Sequence, residues 1–180
     1  MPTFDDLAAW AGADCVTRAQ PETLEHWRLA AADKAMLVHT GIPQVDQLIE
    51  TAFLQTEPEP ALHTASGRLL YRLTENHHGN TVPGLTWSFG VEPETGTVYY
   101  VLPDGEDWFA NTSIDLWLRT LHHYGRYVHQ SPTLSDPDPN EDKALAELRE
   151  LADQLRHIDP PAFDGYLGYI WAEFLERWLW

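Results

Sequence analysis

Residues 84–121 read GLTWSFGVEPETGTVYYVLPDGEDWFANTSIDLWLRTL, and the period of the apolar residues changes once along them. Leu85, Trp87, Phe89 and Val91 alternate with Thr86, Ser88, Gly90 and Glu92, the two-residue period of a strand with one face buried and the other near water. EPETG then supplies turn chemistry, and TVYYVLP resumes as a strand rich in β-branched and aromatic side chains. Two runs joined by so short a turn form a hairpin. PDGED is the next turn, and DWFA reads as one more short strand. From Ile114 onward the period is helical: Ile114, Trp117, Leu118 and Leu121 stand at i, i+3, i+4 and i+7. That spacing predicts a helix over 113–127 that docks on the sheet through this face.

Asn111, Thr112 and Ser113 lie where the period changes, and small polar residues there have three readings: a nucleophile, a ligand grip or a helix start. No G-x-S-x-G surrounds Ser113, and no base neighbours it in sequence. Thr112 or Ser113 is well placed as an N-cap, with Asp115 three residues after Thr112. The cluster therefore reads as a structural strand-to-helix joint.

Toward the N-terminus, TFDDLAAWAG has Thr3 as an N-cap, Asp6 three residues on and Gly12 as a stop, which predicts a short helix. A helical region is expected over 21–39, with Leu24, Trp27, Ala31, Ala35 and Val38 at helical spacing. Gly41 supplies the left-handed residue that follows many helices, and Pro43 prevents continuation. Over 45–55, Val45, Leu48, Ile49, Ala52 and Phe53 suit a helix, while the composition suits a strand. EPEPA breaks the pattern, and GRLLYRLTEN has strand composition.

Toward the C-terminus, 130–140 reads as an acidic, Pro-rich loop. It leads into a helix with Asp138 as N-cap, Pro139 at the first position and Glu141 three residues after the cap. Leu145, Leu148, Ala152 and Leu155 form its apolar stripe, and Pro160 and Pro161 end it. A last helix carries Leu167, Trp171, Phe174, Leu175 and Trp178 on one face. These pieces compose an α+β fold in one domain, a central mixed or antiparallel sheet flanked by helices. Residues 1–30 form an N-terminal helical extension, and 141–180 the C-terminal helices.

A chain of 180 residues with 43% hydrophobic content supports one domain with a core of its own. Its 11 Lys and Arg against 28 Asp and Glu leave a formal net charge of -17. Nucleic-acid binding needs a basic surface, so this balance argues against it, and it equally disfavours anionic membranes. Basic proteins are the partners it attracts. The single cysteine, Cys15, has no motif around it and reads as an inert thiol in a reducing compartment. Neither a cationic and apolar leader pattern nor a run of 18 apolar residues is present, so a soluble, cytoplasmic protein is expected.

The nine histidines, notably His77 and His78 in ENHHGN and His122, His123 and His129 in LHHYGRYVH, raise the question of a metal. Adjacent histidines point apart on a helix, and there is neither H-E-x-x-H nor a cysteine pair. No metal, cofactor or catalytic residue is assigned. Phosphate-cradling glycine loops are lacking too, and among 28 acids no glycosidase pair can be picked out. Of the eight tryptophans, Trp87, Trp117, Trp171 and Trp178 follow the apolar periodicity and are expected in the core. Trp108 and Trp180 fall outside it.

Taken in order, LVHTGIP, GLTWSFGVEPETGTVYYVLP, FANTSIDLWLRTLHHY, HIDPPAF and YIWAEFLE make a recognisable series. It resembles the SUKH superfamily of bacterial immunity proteins, most closely its fourth group. Gly41, Ile42 and Pro43 match that group's Gly-Ile-Pro; Thr95, Gly96 and Val98 its Thr-Gly-x-Val turn; Asn111, Ser113 and Trp117 its Asn-Thr-Ser helix opening. The resemblance spans residues 30–178, and the first 20 residues carry none of these motifs. It implies a mixed sheet flanked by helices and a non-enzymatic role in binding and neutralising a toxin delivered between competing bacteria. Such toxins are often nucleases or nucleic-acid deaminases, which need basic surfaces, and an acidic inhibitor is steered toward those. The turn carboxylates Glu92, Glu94, Asp104, Glu106 and Asp107 are the expected contacts, with Trp108 as an anchor. A regulatory or scaffold adaptor of the same fold, and a hydrolase with an unrecognised carboxylate pair, are the alternatives.

Overall fold

The alternation in GLTWSFGVE is realised as a strand at the centre of a five-stranded antiparallel sheet. The computed structural model describes residues 1–77, 85–135, 140–165 and 167–177. The chain runs through α1 (Phe4–Ala11), β1 (Val16–Thr17), α2 (Pro21–Leu24), α3 (Ala31–His39) and β2 (Ile42–Pro43). The sheet follows, built from β3 (Leu62–His63), β4 (Leu69–Arg72), β5 (Ser88–Val91), β6 (Val98–Val101) and β7 (Asp107–Asn111), paired in that order. Last come α4 (Ile114–Gln130), α5 (Pro132–Ser135), α6 (Glu141–Ile158) and α7 (Ile170–Arg177). The architecture is α+β in a single domain, and the sheet is antiparallel throughout.

One face of the sheet and the helices enclose the core. Phe89, Val91, Val98, Tyr100, Trp108 and Ala110 face Ile114, Trp117, Leu118 and Leu121 of α4, and these four helix residues are fully buried. α6 packs on α4, and α7 on β7. Phe89 meets Trp117 with ring centroids 5.2 Å apart in a tilted arrangement.

The opposite face is not near water along β5, contrary to the alternation. Ser88 and Gly90 are both buried, and on the Gly90 side Leu62 and Leu70 of the β3–β4 hairpin form a second small cluster with Val101 and Tyr99. A Cβ on Gly90 would come within 2.9 Å of Leu62 and Leu70, so a bare backbone is what lets the hairpin approach. Arg68 fastens it from above. Its guanidinium lies over the Tyr99 ring at 4.5 Å, is ion-paired with Asp107, and reaches Glu92 at 3.8 Å.

Several helical expectations are corrected by tertiary bonds. The 21–39 region divides into α2 and α3, because Trp27 stacks on Tyr71 at 4.5 Å. Tyr71 Oη also accepts from the Arg28 N–H, and Glu94 N–H donates to the Arg28 carbonyl, so sheet contacts replace helical ones there. Residues 45–55 are neither helix nor regular strand; Val45 bridges Ile49 in a tight turn, and Ala52 bridges Thr74. Within the expected 130–140 loop, Pro132–Ser135 forms a helical turn whose Leu134 N–H bonds Ser131 Oγ at 3.1 Å. The buried stripe of α6 is Ala144, Leu148, Leu151 and Leu155, one step round from the expected face. Leu167 is 82% exposed, since the chain there runs along β7, with Phe109 N–H bonded to the Gly168 carbonyl at 2.7 Å. His78, Asp138, Pro139, Trp178 and Trp180 lie outside the described residues.

Candidate functional site

The Asn-Thr-Ser joint is positioned by a β-bulge. Register between β6 and β7 shifts at Val98/Tyr99, so that Asn111 stands opposite Val98 and shares its inward face. There the Asn111 amide donates to Asp159 Oδ2 at 2.9 Å and to Thr120 Oγ1 at 3.2 Å, and its oxygen accepts from Trp171 Nε1 at 3.0 Å. Asp159 also accepts from Thr112 N–H at 2.8 Å and Thr112 Oγ1 at 3.0 Å. Both Asn111 and Asp159 are buried, and every strong group is met by a donor or acceptor. Ser113 is the N-cap, accepting from Leu116 N–H at 3.2 Å. A knot of this kind ties β7, α4, the turn after α6 and α7 together.

The other motif residues are structural as well. Gly41 and Gly96 hold φ of 85° and 72°, in the left-handed region that favours glycine, and Pro43 pairs with Val16 in the small β1–β2 sheet. Trp117 is fully buried.

The expected contact patch is divided by the sheet. Glu92 and Glu94 sit in the β5–β6 turn and Asp104 and Glu106 in the β6–β7 turn, at opposite ends of β6. Arg68 gathers Glu92 and Asp107, whose side chain is only 5% exposed, and so neutralises them internally. Glu94 lies 3.8 Å from Arg28, which also pairs with Glu59 at 2.8 Å. Trp108 is not an exposed anchor: only 9% of it is accessible, because its position on β7 faces the core. Asp104 and Glu106 are exposed, joined by a bond from Glu106 N–H to Asp104 Oδ1 at 3.0 Å.

A cleft that sequence reasoning missed opens at the end of the sheet that also carries the β6–β7 turn. It has a volume of about 540 Å3, and Trp87, Tyr100 and Trp108 meet the 46–50 loop and α7 in its walls. Three carboxylates, Asp46, Glu50 and Glu173, line it, with no lysine or arginine among the described lining residues. Buried Asn76 fixes the loop: its amide donates to the Leu48 carbonyl at 3.0 Å, and its oxygen accepts from Glu50 N–H at 2.9 Å. Gln47, at the loop's crest, has φ of 60°, a left-handed conformation uncommon outside glycine. Asp46 and Gln47 also border a second groove, of about 550 Å3, against Trp10, Tyr124 and Val128. The helix-like spacing over 45–55 misdirects here, because the loop's backbone is held by its own Val45–Ile49 bonds and by the distant Asn76.

The neighbouring histidines diverge. His122 Nδ1 accepts from Trp10 Nε1 at 3.2 Å, binding α1 to α4, whereas His123 bonds Gln154 of α6. Burial pushes the His122 imidazole below its ordinary value, and Arg126 adds to this. The backbone N–H of His77 donates to Glu50 Oε2 at 2.8 Å. Among the described residues, no three histidine, cysteine or acidic side chains are grouped to hold a metal ion, and no helix is long and apolar enough to cross a membrane. Cys15 is a free, half-buried thiol.

Set against known proteins, residues 2–177 match the family model of the SUKH-4 immunity protein. The chain belongs to that family. The SUKH-4 match takes in α1, which the motif resemblance left outside. No curated protein and no solved structure matches the chain.

Proposed function

We propose that this SUKH-4 immunity protein neutralises a basic toxin by binding it, without catalysis, and that the toxin acts on nucleic acid as a nuclease or a deaminase. The observation that carries this is the pairing of family membership with a net charge of -17. An enzyme that holds a polyanion needs a basic cleft, and a strongly acidic inhibitor is drawn to that cleft and competes with the substrate for it. Asp104 and Glu106 contribute to the attracting face, while Glu92 and Asp107 serve the fold through Arg68.

The carboxylate-lined cleft raises the hydrolase alternative, and burial argues against it. Acid and base carboxylates work as a pair when one is sequestered in apolar surroundings and the other stays solvated. Asp46 and Glu50 are both exposed and Glu173 is only half-buried, so none of the three is sequestered.

Co-expression with the products of the adjoining genes tests the proposal. Restored growth of cells that carry the toxic product, together with a co-purifying complex, is the expected result. Toxicity unrelieved by the chain would refute it.

A further inference from the structure

We infer that the basic toxin docks on the outer face of the sheet, turned away from α4, along the aromatic row that ends at Leu167; the inference rests on the toxin-binding reading above. Trp108 and Ala110 belong to the core, so Phe109 between them turns outward. Its ring centroid lies 6.0 Å from that of Tyr99 and 5.8 Å from that of Tyr169. Tyr169 in turn rests on bare backbone, since a Cβ on Gly165 would fall 2.2 Å from its ring. The three rings half-bury one another and make a firm apolar floor. Leu167 stands beside it at 82% exposure, more than any other large apolar side chain among the described residues.

The border of this floor selects the occupant by charge. Asp104 and Glu106 in the β6–β7 turn and Asp164 beside Gly165 are exposed, whereas Arg68, over the Tyr99 ring, is already paired with Asp107 and Glu92. An apolar centre with a polar border is the anatomy of a protein interface, and a border of this sign suits a basic partner. A second copy of the chain is disfavoured, because it would set acids against acids. The face is also formed in advance. Ala65 N–H of the β3–β4 hairpin donates to the Gly105 carbonyl at 2.7 Å and Glu106 N–H to Asp104 Oδ1 at 3.0 Å, so the turn needs little ordering when the partner arrives.

Binding of the full chain to the toxin from the protection assay tests this. Leu167→Asn is expected to weaken it by about tenfold or more, and Leu167→Met, which keeps the apolar contact, to leave it within about twofold. Asp104→Asn/Glu106→Gln is expected to slow association by about fivefold or more at low salt. Glu141→Gln/Asp142→Asn, which removes the same charge from the exposed start of α6, is expected to change it by less than about twofold.

Undiminished binding by Leu167→Asn overturns the docking face, as does equal slowing by the two charge pairs. Sedimentation of the chain alone is expected to show a monomer; self-association that Leu167→Asn abolishes would give the face to a second copy and overturn the assignment. A native chain that neither binds nor protects refutes the toxin reading itself, whereas one that does both as well with Leu167→Asn as without it refutes this face alone.

Discussion

Asp159 shows how one residue changes meaning between sequence and structure. In the sequence it is one acid among 28, and nothing in HIDPPAF separates it from the solvated ones. Folded, it is 1% exposed and accepts three hydrogen bonds from Asn111 and Thr112, 48 and 47 residues away. Replacing Asp159 by alanine leaves those buried donors unmet and is expected to cost about 3 kcal/mol in denaturant unfolding. Ser113→Ala removes only an N-cap bond, with an expected loss of about 1 kcal/mol. Equal losses would mean that the knot is no stronger than an ordinary cap. The cap was legible because it is local; the partner of Thr112 was not, because no local pattern encodes a contact made across the molecule.

At the scale of elements, reading was most successful where a residue's neighbours in sequence are also its neighbours in space. α1, with Thr3 and Asp6 in a reciprocal capping box, stands where its cap residues put it, and α4, with its fully buried face, where periodicity put it. It was least successful where sheet contacts outcompete helical ones, as at Trp27 and Arg28, or where a hairpin covers a face that alternation marked as solvated. The docking of α1 on α4 carries a pH dependence. The bond from Trp10 requires an unprotonated His122 Nδ1, and the imidazole is pushed below its ordinary 6.5, so folding releases a proton. Its contribution is full above pH 6.5 and is lost as pH falls from there toward the folded value. Asp6, held below 3.8 by the Thr3 N–H, acts only in a more acidic window. Denaturant unfolding at pH 7.5, 6 and 5 should show a steeper loss for the native chain than for His122→Gln; parallel curves would exclude His122 as the titrating group.

For the whole molecule, the order of motifs already pointed to the family, and composition supports the class of partner proposed. Which surface meets the partner was not legible, since acids in turns look alike until counter-ions are known. Arg68 and Arg28 neutralise or pair with three of the five turn carboxylates, Glu92, Asp107 and Glu94, whereas Asp104 and Glu106 stay exposed. A net charge of -17 acts at long range, so the association rate with a basic toxin should fall by about tenfold or more from low salt to about 0.5 M. A salt-independent rate would remove steering from the account. The most direct test of the central claim is titration of the toxin's activity on nucleic acid with the purified chain: loss of that activity at one equivalent of chain, with the toxin left chemically intact, is the predicted result, and full activity in excess chain would contradict it.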